Sequence, residues 1–253
     1  MKFKVLWIAG LMLAATAGQV HAAFIYTGDS AGTLWKTDSS TVVSTSIGSM
    51  GAAEYDIAFN ASGQLFGSAN GSALYSINSS NAVSTFIGNL GTFVNGLDFS
   101  SNGTLYGSGS NTLFTINTST GVATTVGNIG YTSAGDLAFA SDGTLYMTSA
   151  DDRLIKVNTS TGAGTVVGNL GFNDVYGIDF IGNTLYGTTL SGQLLTINTA
   201  TGTATQVGTT GIASYGSSVF DAVPEPASIA MWSLGAIGLI FARRKRQQTK
   251  LAA

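Results

Sequence analysis

Short runs of alternating apolar and polar residues fill the middle of the chain, separated by turns rich in Asn, Asp, Ser and Gly. This alternation has the period of two that is typical of β-strands, and residues 23–222 show no helical period. Longer apolar runs occur near the two ends, at 5–17 and 227–242. The pattern therefore predicts an all-β domain between two segments of different character.

The predicted strands recur in units of about forty residues. One phenylalanine marks the first strand of each unit, and successive copies lie 40, 40, 41 and 40 residues apart. These copies are Phe59, Phe99, Phe139, Phe180 and Phe220. Three further short runs follow each of the first four, so each unit is predicted to be four antiparallel strands, which is the size of a propeller blade. A stacked β-solenoid is the alternative, although solenoids usually repeat at shorter periods.

The two ends of the repeat region complete one another. Residues 24–26, 34–38 and 42–48 match the second, third and fourth strands of a unit, without a first strand before them. The unmatched first strand is 217–220, at the far end. Joining the two parts predicts a five-bladed β-propeller, spanning 23–222 and closed by a split blade. Closure of this kind leaves no free sheet edge between the first and last blades.

The segment at 116–127 is one of the clearest copies of the repeat. Its sequence, Ile-Asn-Thr-Ser-Thr-Gly-Val-Ala-Thr-Thr-Val-Gly, resembles NHL-type and related propeller repeats of bacterial exported proteins. The resemblance covers nearly the whole region between the two ends. It implies the propeller fold but says little about activity, because such families differ in function.

The first 22 residues are predicted to be a secretory signal peptide. Lys2 and Lys4 precede the apolar run, and Val20-His21-Ala22 supplies a cleavage site that ends in a small residue. An N-terminal membrane anchor is the alternative, but the run is shorter than the roughly 20 residues that a span needs. Cleavage would remove the only histidine, and the chain has no cysteine. The remaining domain would then lack the residues for a Ser-His-Asp triad, a Cys-His pair or a His- or Cys-ligated zinc site.

Residues 223–253 combine three features in a fixed order. A proline-acid-proline motif comes first, then a short apolar segment at 227–242 that is predicted to form a single transmembrane helix, then a basic cluster. The motif and the cluster are Val223, Pro224, Glu225, Pro226, Arg243, Arg244, Lys245 and Arg246. This tail resembles the PEP-CTERM sorting tail of Gram-negative bacteria. The resemblance implies export through the inner membrane, transient anchoring by the helix, and removal of the tail by the membrane protease-transpeptidase exosortase.

The region between the two ends is acidic. Three basic residues stand against twelve acidic residues between 23 and 223, which gives a net charge of −9. Nucleic-acid binding needs clustered Lys and Arg, so we expect no nucleic-acid partner.

Four of these acids occupy the first or third position of the four-residue motif that ends at the phenylalanine. They are Asp56, Asp98, Asp136 and Asp179, on the strand face expected near the ring axis. Ca²⁺ accepts such oxygen ligands, which makes these residues weak metal candidates. The alternation places neighbouring carboxylates at different depths, so we expect them instead to cap turns or bond backbone groups, with no cofactor.

In the usual propeller topology, the connections between blades share one face of the ring with the loops between second and third strands. Aromatic rings beside amides and carboxylates suit carbohydrate, because a sugar has an apolar face and a rim of hydroxyls. The candidate ligand face comprises Glu54, Tyr55, Phe93, Asn95, Tyr131, Asp151, Asp152, Phe172, Asn173, Asp174 and Tyr176. For Tyr55 and Tyr176 the alternative is a packing role between blades.

Together these features predict an exported, exosortase-processed propeller at the cell surface or in the extracellular matrix, acting as a non-catalytic binding or scaffold module. PEP-CTERM tails accompany exopolysaccharide production, so the resemblance implies polysaccharide or surface proteins as partners. The alternative is a metal-dependent propeller lyase or lactonase that uses the axial aspartates.

Overall fold

The computed structural model describes residues 23–220 apart from 53 and 71, and for Glu54 and Tyr55 it describes the backbone alone. The described residues form twenty strands in five four-stranded antiparallel sheets. The predicted signal peptide, transmembrane helix and sorting motif lie outside the described residues. Within the described part of the chain, no helix is long and apolar enough to cross a membrane.

The strands follow the order expected for propeller blades. They are β1 (Phe24–Asp29), β2 (Thr33–Asp38), β3 (Ser44–Ser49), β4 (Glu54–Phe59), β5 (Leu65–Ala69), β6 (Ala73–Ile77), β7 (Ser84–Asn89), β8 (Gly96–Phe99), β9 (Leu105–Gly109), β10 (Thr112–Ile116), β11 (Ala123–Asn128), β12 (Ser133–Phe139), β13 (Leu145–Ser149), β14 (Arg153–Val157), β15 (Gly164–Asn169), β16 (Val175–Ile181), β17 (Thr184–Thr189), β18 (Gln193–Ile197), β19 (Ala204–Thr209) and β20 (Ser214–Val219). Blade 1 consists of β20, β1, β2 and β3, and blades 2 to 5 each take the next four strands. The first strands of successive blades contact one another, so they surround the ring axis.

The split blade is confirmed. β20 pairs antiparallel with β1, with Ile25 opposite Val219 and Tyr26 opposite Ser218. The five-bladed all-β propeller expected from the repeat is therefore closed by strands from the two ends of the described chain.

The alignment of Phe220 with the other motif phenylalanines is wrong by one residue. In blade 2, Phe59 lies opposite Leu65 of the second strand. The equivalent of Leu65 in blade 1 is Ile25, and its partner is Val219. The physical reason lies at the other end of β20, where a Cβ on Gly216 would lie 2.2 Å from Oδ1 of Asp56. Only glycine fits there, and this contact sets the register of the strand.

The hydrophobic core lies between the blades. Leu137 packs with Leu113 and Ile129 of blade 3, whereas its neighbour Ala138 packs with Ile178 of blade 5. Alternate residues of β12 therefore face opposite neighbours, as the pleat of a strand requires.

Aromatic pairs repeat across four blade boundaries. Each pair joins a second-strand ring to the motif phenylalanine of the next blade, so the expected packing of this phenylalanine on a neighbouring blade is found. The separations between ring centroids are 4.9 Å for Tyr26–Phe59, 5.4 Å for Phe66–Phe99, 5.4 Å for Tyr106–Phe139 and 5.9 Å for Tyr146–Phe180. At the boundary between blades 5 and 1, Val219 stands in the place of the phenylalanine.

Each outer strand contains a β-bulge next to a glycine. In β7, for example, the bulged residue is Ile87, between Phe86 and Gly88. A Cβ on Gly88 would lie 1.9 Å from the carbonyl oxygen of Thr120 in the next blade. The recurring glycine therefore permits close contact between neighbouring blades.

The ring has two distinct faces. Glu54, Ala69, Ala73 and Asn89 pair in register across blade 2, beside the blade-to-blade connections and the second-to-third-strand loop. We call this side of the ring the connection face, and the opposite side, which carries the hairpin turns, the turn face. The connection face carries the residues that the sequence groups as a candidate ligand face.

Candidate functional site

A belt of hydrogen bonds from backbone to side chain encircles the axis and links each blade to the next. Its members share one geometry, in which a side-chain oxygen near the axis accepts a backbone N–H of the following blade. The bonds are Leu97 N to Asp56 Oδ2 at 2.5 Å, Phe139 N to Asp98 Oδ2 at 2.6 Å, Ile178 N to Asp136 Oδ2 at 2.6 Å, Val219 N to Asp179 Oδ2 at 2.5 Å, and Phe59 N to Ser218 Oγ at 3.0 Å. The belt therefore spans all five blade boundaries.

The second oxygen of each axial carboxylate is also an acceptor. Each Oδ1 accepts the N–H of the residue that follows it in the chain, at 2.6–2.8 Å. Among residues 23–220 other than 53 and 71, no group of three or more acidic, His or Cys side chains is placed to hold a metal ion. The axial aspartates thus link neighbouring blades, with both carboxyl oxygens accepting backbone N–H groups.

Glycines explain why the aspartates alternate between two positions. Blades 2 and 4 have Asp56 and Asp136 at the first position, whereas blade 3 has Gly96 and blade 1 has Gly216. A Cβ on Gly96 would lie 3.2 Å from Cα of Asp136, and one on Gly216 would lie 2.6 Å from Cα of Asp56. A carboxylate at the first position therefore needs glycine at that position in the preceding blade.

Because five is an odd number, this alternation must break once around the ring. The break falls in blade 1, where Ser218 stands at the third position in place of an aspartate and its hydroxyl oxygen accepts the Phe59 N–H. Ser218 also donates to Asp179 Oδ2 at 3.4 Å. The composite blade is thus joined to both of its neighbours by one short side chain.

The first-position carboxyl groups are enclosed by the ring. Asp56 is 1% exposed and Asp136 is 0% exposed. Burial raises the pKa of Asp56 well above its usual value, and the charge of Asp136 and a hydrogen bond with it add to the rise. Burial also raises the pKa of Asp136, opposed by its hydrogen bond with Asp56. Burial therefore favours the protonated form of both carboxyl groups relative to an exposed aspartate.

A cluster of tyrosines and aspartates lies on the connection face of blades 4, 5 and 1. The Tyr176 hydroxyl donates to Asp174 Oδ1 at 2.9 Å, and the Asp174 N–H donates to Asp152 Oδ1 at 3.1 Å. The ring of Tyr215 lies 6.1 Å from that of Tyr176, at 42° between the ring planes. We call Asp152, Asp174, Tyr176 and Tyr215 the tyrosine–aspartate patch.

Local backbone geometry positions this patch. Asp152 has φ 60° and Asp174 has φ 54°, in the left-handed region that aspartate tolerates better than most residues. Burial raises the pKa of Tyr176 to about 12, and the hydrogen bond to Asp174 contributes to that rise. The Tyr176 hydroxyl therefore keeps its proton at neutral pH, and the patch presents two acidic side chains beside two aromatic rings.

Other predicted residues of the connection face have separate partners. Asp151 forms an exposed ion pair with Arg153, with 3.1 Å between Oδ2 and Nε, and accepts a hydrogen bond from Ser149. Asn95 is 8% exposed, and its Nδ2 donates to the Ser133 carbonyl at 3.3 Å. Asn95 is therefore part of the wall of the ring.

The remaining candidates differ in exposure. Tyr131 and Phe172 are half-buried and pack against the hydrophobic clusters between blades. Asn173 is exposed, and Phe93 is 43% exposed. Asp152, Asp174 and Tyr176 are the predicted residues that direct hydrogen bonds join into one group.

Sequence reasoning missed Tyr215, Asp29 and Trp35. Tyr215 precedes Gly216 as Tyr176 precedes Gly177, but the sequence hides this relation because Phe220 copies the motif phenylalanine while Val219 occupies its position. Trp35 Nε1 donates to Asp29 Oδ2 at 2.8 Å, and Asp29 pairs with Ser214 beside the patch. Blade 1 therefore contributes Trp35 to the connection face. Its indole N–H is bonded to Asp29, as the Tyr176 hydroxyl is bonded to Asp174.

A groove of about 350 Å³ lies on the turn face of blade 4, near Lys156 and Asn158. It is on the opposite side of the ring from the tyrosine–aspartate patch. None of the residues predicted to bind a ligand lines it.

Residues 222–246 match the PEP-CTERM protein-sorting motif. The chain therefore carries a PEP-CTERM sorting motif at residues 222–246. The match spans the proline-acid-proline motif, the apolar segment and the basic cluster predicted at 223–226, 227–242 and 243–246. The PEP-CTERM motif implies export, sorting to the cell surface and processing by exosortase, so the chain is an exported propeller protein. No curated protein shows significant similarity to it.

Solved propeller structures resemble the described domain in fold. A symmetrical protein studied for its de novo evolutionary emergence is 18% identical at a TM-score of 0.52, over 77% of this chain and 93% of its own. A chain of a nidogen/laminin complex is 11% identical at a TM-score of 0.55, over 78% of this chain and 98% of its own. At these identities the likeness concerns the fold alone.

Proposed function

We propose that this PEP-CTERM propeller is a non-catalytic binding module that holds neutral polysaccharide on the connection face of blades 4, 5 and 1. The observation that carries the proposal is the tyrosine–aspartate patch, in which the Tyr176 and Tyr215 rings lie 6.1 Å apart beside two carboxylates. The export and surface sorting implied by the tail would bring this face to polysaccharide outside the cell.

The chemistry of the patch fits a sugar ring. The apolar face of a sugar stacks on an aromatic ring, and its hydroxyl groups donate to carboxylates such as Asp152 and Asp174. Because the Tyr176 hydroxyl is already bonded to Asp174, its ring is held in one orientation before binding. Less conformational entropy is then lost when the sugar binds.

The charge of the connection face favours neutral sugars over acidic ones. Asp29, Asp151, Asp152 and Asp174 lie at this end of their blades. Among the described residues, the nearby cation is Arg153, which is paired with Asp151. A polysaccharide rich in carboxylate or sulfate groups would meet net repulsion at such a surface.

The axial aspartates support a binding role over the lyase or lactonase alternative. A metal-dependent reaction at the axis would need carboxylate oxygens free for a cation or a substrate, whereas all of them accept backbone N–H groups of the blades. Titration with Ca²⁺ in a calorimeter separates the two functions. Tight stoichiometric binding that Asp136→Asn abolishes would favour the enzyme.

Glycan-array binding of the purified exported protein tests the proposal. Tyr176→Ala and Tyr215→Ala should each weaken binding to neutral glycans by about tenfold, which corresponds to about 1.4 kcal/mol. Tyr186→Ala is the matched control, because Tyr186 is a half-buried tyrosine in β17 that lies outside the patch. Equal binding by all four proteins, or preference for acidic glycans, would refute the assignment.

A further inference from the structure

The outer circumference of the ring is free of charged residues. The outermost strand of each blade is β3, β7, β11, β15 or β19, and none of them contains Asp, Glu, Lys or Arg. We call these five strands, with the residue before each, the rim. The rim is thus uncharged in a domain whose net charge between 23 and 223 is −9.

Most of the exposed apolar side chains lie on the rim. Of the seven large apolar side chains that are exposed among the described residues, six belong to the rim. They are Val43 (62%), Val83 (58%), Phe86 (54%), Val122 (54%), Val166 (38%) and Val207 (46%). Single exposed apolar residues are ordinary, but here every blade contributes at least one to an outer edge without charged residues. Depletion of charge is typical of the centre of protein–protein interfaces.

We propose that the rim is an interface between copies of this chain, which associate edge to edge through their outer strands. Two copies carry the same negative charge, so contact through the connection face would bring Asp151, Asp152 and Asp174 of one copy against those of the other. Contact between rims places no charged strand residue against another. Two antiparallel strand edges are also complementary in their backbone donors and acceptors.

The bulges restrict the length of such a contact. In β7 the bulge is at Ile87, so the regular part of the edge is Ser84 to Phe86. One pairing of this length is weak, because few backbone groups take part and each net hydrogen bond contributes only about 1 kcal/mol. Five equivalent edges per ring make the association multivalent, so it should produce lateral assemblies at high local concentration.

Phe86 is the side chain best placed to anchor the contact. Its ring packs edge-on against Tyr75 at 5.5 Å between centroids, with 71° between the ring planes, while 54% of the residue stays exposed. An exposed aromatic ring held by a neighbour loses little conformational freedom on association. The rim of blade 2 should therefore contribute more than the others.

Cross-linking of the full chain in mild detergent tests the proposal, because the protein has no cysteine of its own. Thr125→Cys places a thiol at an exposed position of β11, and Ser119→Cys places one at an exposed turn of the same blade. With a short bismaleimide, Thr125→Cys should give at least about tenfold more dimer than Ser119→Cys. Equal cross-linking from both positions would overturn the rim assignment.

Sedimentation velocity supplies the second measurement. The unmodified chain should show species larger than the monomer that increase with concentration. A variant with one lysine on each outer strand should remove them; its changes are Thr45→Lys, Phe86→Lys, Thr125→Lys, Val166→Lys and Thr205→Lys. The control of equal charge places five lysines on the turn face and should leave assembly unchanged; its changes are Ser40→Lys, Ser80→Lys, Ser119→Lys, Ser160→Lys and Ala200→Lys. The proposal is contradicted if the unmodified chain is a single monomeric species at every concentration, or if assembly persists in the rim variant. Circular dichroism verifies that each variant is folded.

Discussion

Replacing Asp136 with alanine should destabilise the propeller by about 3–6 kcal/mol. The Asp136 carboxylate accepts the backbone N–H of Leu137 at 2.6 Å, that of Ile178 at 2.6 Å and that of Ser217 at 3.2 Å. Alanine would leave these three buried donors without an acceptor, and each unsatisfied buried donor costs about 1–3 kcal/mol. The total lies toward the lower end of the sum, because removing a buried carboxyl group also removes its desolvation penalty.

Urea unfolding of the 23–222 domain, followed by Trp35 fluorescence, measures this loss. Trp35 lies in β2 of the composite blade, so its signal reports on the blade that closes the ring. Asp142→Ala is the control, because Asp142 is exposed and accepts one turn N–H, from Thr144 at 2.9 Å. That change should cost less than about 1 kcal/mol. If Asp136→Ala lowers the free energy of unfolding by less than about 1 kcal/mol, these donors reach water in the variant. The belt would then not be what holds neighbouring blades together.

Three further predictions concern the ring. Phe139→Ala should lower the free energy of unfolding, measured in urea, by about 2–3 kcal/mol. This is below the roughly 3–5 kcal/mol range of a fully buried ring, because Phe139 is half-buried against Tyr106. A loss under about 1 kcal/mol would argue against that packing. The urea midpoint should fall as the pH rises above about 4. Asp56 and Asp136 have raised pKa values in the folded protein, whereas the unfolded chain releases these protons near a pKa of about 3.9. A midpoint that rises over this range would contradict that assignment; the lowered pKa of exposed Asp38 acts in the opposite direction, but only at more acidic pH. Deletion from Ser217 onward removes the donors and acceptors that join blade 1 to Asp136, Asp179 and Phe59. Size-exclusion chromatography with light scattering should then show unfolded or oligomeric protein. A folded monomer would refute closure by β20.

The blade count, strand order and closure could be predicted from the sequence because they depend on features that recur along the chain. A period of about forty residues, strands with alternating polarity, and a first strand without partners at one end were sufficient. The position of the aspartates near the axis followed from the same alternation. Their partners did not, because each one is the backbone of another blade about 40 residues away, as with Asp98 and Phe139.

The register of blade 1 could not be predicted from the motif alone. Phe220 copies the motif phenylalanine in sequence, but Gly216 must lie against Asp56, a residue from the opposite part of the chain. That contact shifts β20 by one residue and hides both the belt role of Ser218 and the relation of Tyr215 to Tyr176. On the connection face, the sequence identified Asp152, Asp174 and Tyr176 by type and loop position, while their mutual hydrogen bonds depend on the left-handed backbone at two aspartates.

Hydrogen exchange of the exported protein, measured with and without a bound neutral polysaccharide, tests the functional proposal most directly. The account predicts that the sugar protects amides of segments 151–153, 172–177 and 214–216, which carry or adjoin the tyrosine–aspartate patch. Protection that falls instead on the turn-face groove at 156–160, or on the outer strands alone, would contradict a polysaccharide site on the connection face.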